Sequence, residues 1–501
     1  MKTERWVWLT AAALAVAFWV WRAIVAQLPF YAFQSDPEVM YYDSAILLAN
    51  GHALEHTDHP GTALQCTGAL IARGLGLNLP SAFDPAAFRR FMLGWRLLAL
   101  ASLLGTGFWL AKRLAGRGAF GVALLPLLFA FDYQTLAYWL TFTPESAFFV
   151  LYLPVALWCL LRARGPGCSW RGGLGLAVLL GFATTIKLTL WPVTLFVLAQ
   201  LALSRASSVP SWRRFAAYTG VAALVFAVAA TVLAHDPMAP WRWVLGLIEH
   251  SGRYGAVRAE GGVFPPWSVG LEALRRAFAL QAYTTLPVYA GILLLAIWSA
   301  RRDPARDSRD RILGASFLAA FLLLLVMFLK HPYQGKYLMP ASLLILLYAT
   351  AQIESGPLPG LRWIRPLGVV LGLIVVNAVL SQKLLYDFAI SRDQRVCAHI
   401  DAWLARVPHD AVVISSRLPH PIPAFREMAR GPLLPLYFQH FGHIELTGTT
   451  SLDFQRVADP ALPALPGVKR AIAFLNTPNP DARWVLVDAN PSDALFVYLL
   501  K

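Results

Sequence analysis

Apolar runs close to the length of one bilayer crossing recur about eleven times along this chain, and no other feature restricts its fold as much. In hydrocarbon a segment of that length must satisfy its own backbone polar groups, which leaves the helix as its structure. The runs fall near 6–27, 92–112, 117–132, 137–162, 172–186, 188–204, 214–235, 283–300, 311–329, 337–353 and 364–385. A soluble reading fails on composition: 57% of the 501 residues are hydrophobic and 14% charged, against roughly 25% charged in a soluble domain. The expected fold class is mainly α, a polytopic membrane helix bundle.

The connections alternate in charge. Lys112, Arg113 and Arg117 follow the second run, Arg162, Arg164 and Arg171 the fourth, and Arg205, Arg213 and Arg214 the sixth. Arg301, Arg302, Arg306, Arg309 and Arg311 follow the eighth, and Arg362 and Arg365 the tenth. By the positive-inside rule these connections and the N-terminus, with Lys2 and Arg5, are cytoplasmic. The formal charge of +15 is therefore a topology signal, and a nucleic-acid partner is excluded. The first run is too long for a signal-peptide core and has no clean cleavage site before Asp36, so it reads as an uncleaved span.

The opposite side then carries the segment 28–91, short turns near 132–136, 187 and 330–336, the segment 236–282, and the tail. The chain divides into a transmembrane module over 1–385, with its large first outer loop 28–91, and a small extramembrane α/β domain over 386–501. Within that domain Ala411–Ser415, Trp484–Asp488 and Leu495–Leu500 read as strands and Asp393–Val407 has helical spacing. Four cysteines, Cys66, Cys159, Cys168 and Cys397, show no metal-binding spacing; Cys66 and Cys397 fall on one side, which leaves a bridge between them open.

Every polar motif of note lies on the outer side. Asp36 and Glu38 precede Tyr41 and Tyr42, with Glu38 starting an expected amphipathic helix to about Leu48. A carboxylate there could serve as a general base, although Asp followed by Pro is also a good helix cap, the better reading when the motif is taken alone. His52, His56, Asp58 and His59 are spaced like metal ligands; Gly51 and Pro60 break the regularity and no thiolate completes the set. A cavity wall formed by Asp58, His59 and the Pro60-Gly61-Thr62 turn is the stronger reading, and no cofactor is required, with a divalent cation left open. Glu145 lies about two turns inside the fourth run, a costly depth for a carboxylate unless it is paired or hydrated. Lys187 is an isolated outward lysine between the fifth and sixth runs, and Lys330, His331, Lys336 and Tyr337 form a second cationic outer turn. Such cations suit an anionic headgroup, with anchoring to ordinary lipid phosphates as the plainer account.

In order and sidedness these motifs resemble the GT-C superfamily of membrane glycosyltransferases, in particular the branch of protein O-mannosyltransferases and aminoarabinose-lipid transferases. Asp36-Pro37-Glu38 with Tyr41 and Tyr42 is similar to that family's acidic first-loop motif. His59-Pro60-Gly61-Thr62 resembles its His-Pro-Pro or Lys-Pro-Pro turn, Thr185 to Lys187 its small-Thr-Lys segment, and Lys336 to Pro340 its Arg-Tyr-Leu-x-Pro signature. The resemblance implies sugar transfer, usually inverting, from a polyprenyl-phosphate-linked donor to a glycan, lipid or protein acceptor of the cell envelope, at the periplasmic face of a bacterial inner membrane. It implies Asp36 as general base, Lys187 and Lys336 as phosphate-stabilising cations, and Glu145 as an orienting carboxylate. Three departures stand out: Pro37 separates the acidic pair, Gly61 replaces a proline, and Lys336 replaces an arginine, which removes a bidentate phosphate contact. The alternative is a transporter or flippase of a lipid-linked saccharide, which would be expected to carry charges deeper in its spans and on both sides.

Overall fold

The computed structural model describes residues 38–57, 60–79, 85–114, 141–164, 168–204, 209–248, 266–279, 290, 293, 308–330 and 338–354; in the tail it describes 395, 398–399, 402–403, 406, 412–415, 471–475, 483–491 and 495–500. These residues fall into two compact units. One holds 57, 60–66 and the described residues of 94–354; the other holds 38–56, the described residues of 67–93, and the tail. The runs expected near 6–27, 117–132 and 364–385, and nearly all of 283–300, lie outside the described residues.

In the first unit the apolar runs are helices. Four described segments are long and apolar enough to cross a membrane: Ala86–Leu110, Pro144–Arg164, Ser211–Val232 and Arg311–Lys330. This is a multi-pass membrane protein. The first segment belongs to α3 (Pro85–Leu114), which starts seven residues before the expected 92. The second, α4 (Pro144–Arg164), corrects the expected start at 137, because 141–143 form a bend and Pro144 opens the helix. It is followed by α5 (Trp170–Thr184), a 3-10 turn over Leu188–Leu190, and α6 (Trp191–Ala202). Then come α7 (Ser211–Val232), α8 (Ala239–Ile248), α9 (Trp267–Ala279), α10 (Ser308–Lys330) and α11 (Met339–Glu354).

The short helix α6 is the centre of this unit and packs against α4, α5, α7, α10 and α11. Its sequence, WPVTLFVLAQLA, is apolar apart from Thr194 and Gln200, as suits a helix enclosed by others. At 12 residues it is about 18 Å long, well short of the roughly 30 Å of hydrocarbon. Its neighbours α5 and α7 run side by side through a small-residue stripe. Gly173 and Gly181 of α5 face Tyr218 and Ala222 of α7, and a methyl group at Gly181 would lie 2.8 Å from the Ala222 Cα and closer still to its carbonyl oxygen. Because that obstacle is backbone, Gly181→Ala is expected to push the two helices apart and cost about 1–3 kcal/mol, read as a lowered midpoint in thermal unfolding. Gly175→Ala, with open space around it, is expected to be neutral or slightly stabilising.

In the second unit, α1 (Glu38–Ala49) and α2 (Thr62–Gly74, from Thr67 onward) are tied by Arg73, whose Nε donates to the Ala49 carbonyl at 2.8 Å. The amphipathic expectation for α1 is corrected: Tyr41 through Leu47 are buried without interruption, so both faces are packed. Gly51, at φ +87, ends the helix with the His52 amide donating to the Leu47 carbonyl at 3.0 Å. The tail forms a four-stranded sheet in the order β1-β2-β4-β3, from β1 (Val412–Ser415), β2 (Ala471–Leu475), β3 (Trp484–Asn490) and β4 (Leu495–Leu500). The β1–β2 pair is parallel and the others antiparallel. The three expected strands are present; β2 was not foreseen, its AIAFL too short to separate from a buried helical turn. Residues 395, 398, 399, 402 and 403 are helical, in keeping with the expected Asp393–Val407 segment. From there Trp403 Nε1 donates to Asp488 Oδ2 at 2.8 Å, and His399 Nε2 lies 2.8 Å from the same oxygen. The Trp403 bond, with the His399 charge, holds the Asp488 carboxyl below the ordinary range.

Candidate functional site

Glu145 sits in the first turn of α4, where its charge complements the helix dipole, with Pro144 at a position that needs no N–H. It is 1% exposed, so it is a buried carboxylate and not a snorkelling one. Trp95 of α3 fixes the approach to this turn: its Nε1 is shared between the Thr141 carbonyl at 2.8 Å and Ser146 Oγ at 3.0 Å. Directly after it, Phe148–Tyr152 wind as a π-helix, a rare local widening of the helix that recurs at functional sites.

Lys187 stands in extended backbone (φ −163, ψ 140) between α5 and the 3-10 turn. The expectation of an isolated outward lysine is corrected. Lys187 is 2% exposed, and its Nζ donates to Glu145 Oε1 at 2.5 Å. Its depth follows from the neighbouring helix. Trp191, just after the break, packs on Phe226 of α7, and α7 continues six residues further to Val232, about 9 Å at 1.5 Å per residue. The break therefore lies inside the bundle rather than at its rim.

Threonines brace the break from both sides. Thr185 Oγ1 donates to the Phe182 carbonyl at 2.6 Å and accepts the Ala63 amide at 3.0 Å, which joins the Pro60–Thr62 turn to the lysine strand. Gly61 in that turn has φ +61, a conformation closed to proline, so its replacement of the resembled family's proline has a backbone cause. Thr184 Oγ1 donates to the Leu180 carbonyl at 2.6 Å, which uses its single proton. It must then accept from Thr194 at 2.7 Å, and Thr194 in turn accepts from the Tyr152 hydroxyl at 2.8 Å. This directed chain links the π-turn of α4 to both sides of the α5–α6 break.

Three motifs separate in sequence, at 60–63, 141–146 and 184–187, thus meet around one buried ion pair. Such a pair is costly to desolvate and strongly destabilising to break, because either partner alone leaves a bare charge in an apolar interior. Chemically it offers an ammonium at a set position, able to face a phosphate as a point charge.

Other expected residues are placed differently. Tyr41 is 0% exposed and meets the His56 ring edge-on at 4.7 Å, while Tyr42 packs against Phe88 and Phe91, both at 4.9 Å. Both rings are packed in the interior. His52 is exposed and His56 buried, with no helix between them, so the shared helix face expected of metal ligands is corrected, Gly51 being the physical reason. No group of three His, Cys, Asp or Glu that could hold a metal occurs among the described residues. Cys66 forms no disulfide with another described cysteine. Lys330 ends α10 half-buried, and the side chain of Glu38 is not described. Asp36, Asp58, His59, His331, Lys336, Tyr337 and Cys397 lie outside the described residues. Sequence reading missed Trp95, Ser146, Tyr152 and Thr194: each is apolar or small in a run of similar residues, and only their packing reveals them.

His56 carries a testable pH signature. Its backbone N–H donates to Ser44 Oγ at 3.0 Å, and burial pushes the imidazole from its ordinary 6.5 down to about 4. The folded state therefore binds fewer protons than the unfolded state between these values. The stabilisation is complete above pH 6.5 and is lost as pH falls towards about 4. His56→Phe is expected to flatten the stability profile over that window while leaving the region above pH 7 little changed, as measured by thermal unfolding across pH.

No family model matches the chain, and no curated protein matches it. Among solved structures, ArnT from Cupriavidus metallidurans, crystallised bound to undecaprenyl phosphate, is similar over 98% of this chain and 98% of its own, with a TM-score of 0.53 at 14% identity. The chain has the fold of this ArnT structure. Within this fold the Glu145–Lys187 pair and its threonine braces are the described residues best arranged for chemistry.

Proposed function

We propose that the protein is an inverting glycosyltransferase that moves a sugar from a polyprenyl-phosphate-linked donor to an acceptor on the periplasmic face of a bacterial inner membrane. The observation that carries this reading is Lys187, whose Nζ meets Glu145 Oε1 at 2.5 Å inside the bundle, at the break between α5 and α6. The undecaprenyl phosphate bound to ArnT is a donor-type carrier, and it supports the same ligand class here.

In the reaction the acceptor hydroxyl oxygen attacks the anomeric carbon as the bond from that carbon to the phosphate oxygen breaks. Asp36 accepts the hydroxyl proton, and the electron pair leaves with the polyprenyl phosphate. Charge grows on that phosphate in the transition state, and a preorganised cation in a dry site stabilises it far more than one in water. Lys187 fills this role, with Glu145 fixing its position, and Lys330, His331, Lys336 and Tyr337 are assigned to further contacts with the donor. Asp58 and His59 are assigned to contact with the sugar.

The test is purified protein in lipid nanodiscs with radiolabelled polyprenyl-phosphate sugars and a membrane extract as acceptor. Loss of label from the lipid with release of polyprenyl phosphate is expected. Donor that stays intact but crosses the bilayer in proteoliposomes would replace this reading with transport.

A further inference from the structure

Two contacts join α4 to the segment that leads into α6, and both link residues 42 apart in sequence: Glu145 with Lys187, and Tyr152 with Thr194. The two stretches therefore run side by side in one direction, and the contacts are successive rungs between them. Between the rungs neither backbone is regular throughout. On one side Phe148–Tyr152 form the π-helix, and on the other the extended Lys187 leads into the 3-10 turn Leu188–Leu190. A 3-10 turn rises about 2.0 Å per residue against about 1.5 Å in an α-helix. Two such stretches do not keep pace through their own backbone hydrogen bonds, so the side chains across them set the register.

The second rung is tied back to the first. Thr194 donates on to Thr184 at 2.7 Å, and the Thr184 carbonyl accepts the Lys187 amide at 3.2 Å. Glu145 thus holds the lysine by its side chain, while Tyr152, further along the same helix, holds it by its backbone through two threonines. Tyr152, Thr184 and Thr194 are fully buried and each hydroxyl proton is committed, so the chain has one direction and no water to exchange with. A shorter account is that three buried hydroxyls satisfy one another, as buried polar groups do. It explains the bonds and leaves their ends unexplained: the chain starts in the π-turn that follows Glu145 and finishes at the turn that carries Lys187.

We propose that Tyr152 is a positioning residue, whose hydroxyl sets the place of the Lys187 ammonium against the departing phosphate by way of Thr194 and Thr184. That role rests on the reading of Lys187 as the phosphate-facing cation, since Tyr152 acts only through it. Placement matters because a preorganised charge is effective only where the new charge develops. A shift of about 1 Å in a reacting arrangement costs on the order of 10- to 100-fold in rate.

The test is steady-state transfer from radiolabelled polyprenyl-phosphate sugar by the full-length protein in nanodiscs, run well below the unfolding midpoint of each variant. Tyr152→Phe, which removes one oxygen, is expected to lower kcat by about tenfold with donor KM within about threefold of wild type. Thr194→Val should do the same, and Thr194→Ser, which keeps the hydroxyl, should recover most of the loss. The control is Tyr348→Phe, in a buried tyrosine of α11 whose hydroxyl accepts from Gln352 Nε2 at 2.6 Å outside this chain. It should lower Tm and leave kcat within about twofold of wild type. Should Tyr152→Phe not fold, the double variant Tyr152→Phe with Thr194→Val takes its place with the same expected fall, because removing both partners leaves fewer bare polar atoms. A wild-type kcat in Tyr152→Phe, an equal fall in Tyr348→Phe, or a serine variant as slow as the valine one overturns the positioning role. A raised KM at unchanged kcat overturns it in favour of a wall of the donor site. Failure of the Lys187 reading looks different: wild type leaves the donor intact, or Lys187→Met with Glu145→Gln turns over like wild type, and Tyr152 then loses its role with the lysine.

Discussion

Lys187→Ala is expected to cost about 3–5 kcal/mol of stability, because it strands the Glu145 carboxylate, 1% exposed, in an apolar bundle without its ammonium. Transfer is expected to fall by about 100-fold or more, the scale on which one preorganised electrostatic contact contributes. The two losses separate in the double variant Lys187→Met with Glu145→Gln. Removing both charges leaves no bare ion, so most of the stability should return, measured as the unfolding midpoint in nanodiscs. Activity should not return. A double variant with wild-type turnover would reduce the pair to a structural pin and remove Lys187 from the chemistry.

Asp36→Asn is expected to lower turnover by about 10²–10⁴-fold, the usual range for loss of a general base, with donor KM little changed. The substitution discriminates well because asparagine caps a helix as readily as aspartate does. If Asp36 merely caps the helix that begins at Glu38, the asparagine variant should keep both its Tm and its activity. A proton acceptor tolerates no such exchange, since the amide cannot take the hydroxyl proton at neutral pH. Turnover within a few-fold of wild type would therefore return Asp36 to the capping role.

Much of the bundle was legible in the sequence because hydrocarbon is an exacting solvent. A run such as 311–329 has few alternatives to the helix it forms in α10, and 214–235 few alternatives to α7. The sheet strands at Val412–Ser415 and Leu495–Leu500 were legible for a similar reason, being β-branched or aromatic runs bounded by polar residues. What composition could not convey was partnership. Glu145 and Lys187 each stood out as a charge at the wrong depth, yet their distance in sequence hid that each answers the other. The start of α4 was half visible in Thr143-Pro144, but a window of mean apolarity carries the expected span back to 137. Tyr41 and Tyr42 show the converse: aromatic rings with hydroxyls suit a binding wall and a packed interior equally, and the sequence does not reveal the neighbours His56, Phe88 and Phe91 against which they pack.

The separation between Glu145 and Lys187 also bears on how the protein is made. The pair spans 42 residues, and two further stretches of helix stand between the two partners. At roughly 5–20 residues per second, a ribosome needs about 2–8 s to add that length. For that interval the carboxylate emerges before its ammonium exists. The nascent α4 therefore has to wait at the insertion machinery, or carry its carboxylate protonated, until the lysine arrives. Completion of α5 is thus the moment at which this part of the chain can commit to the lipid phase.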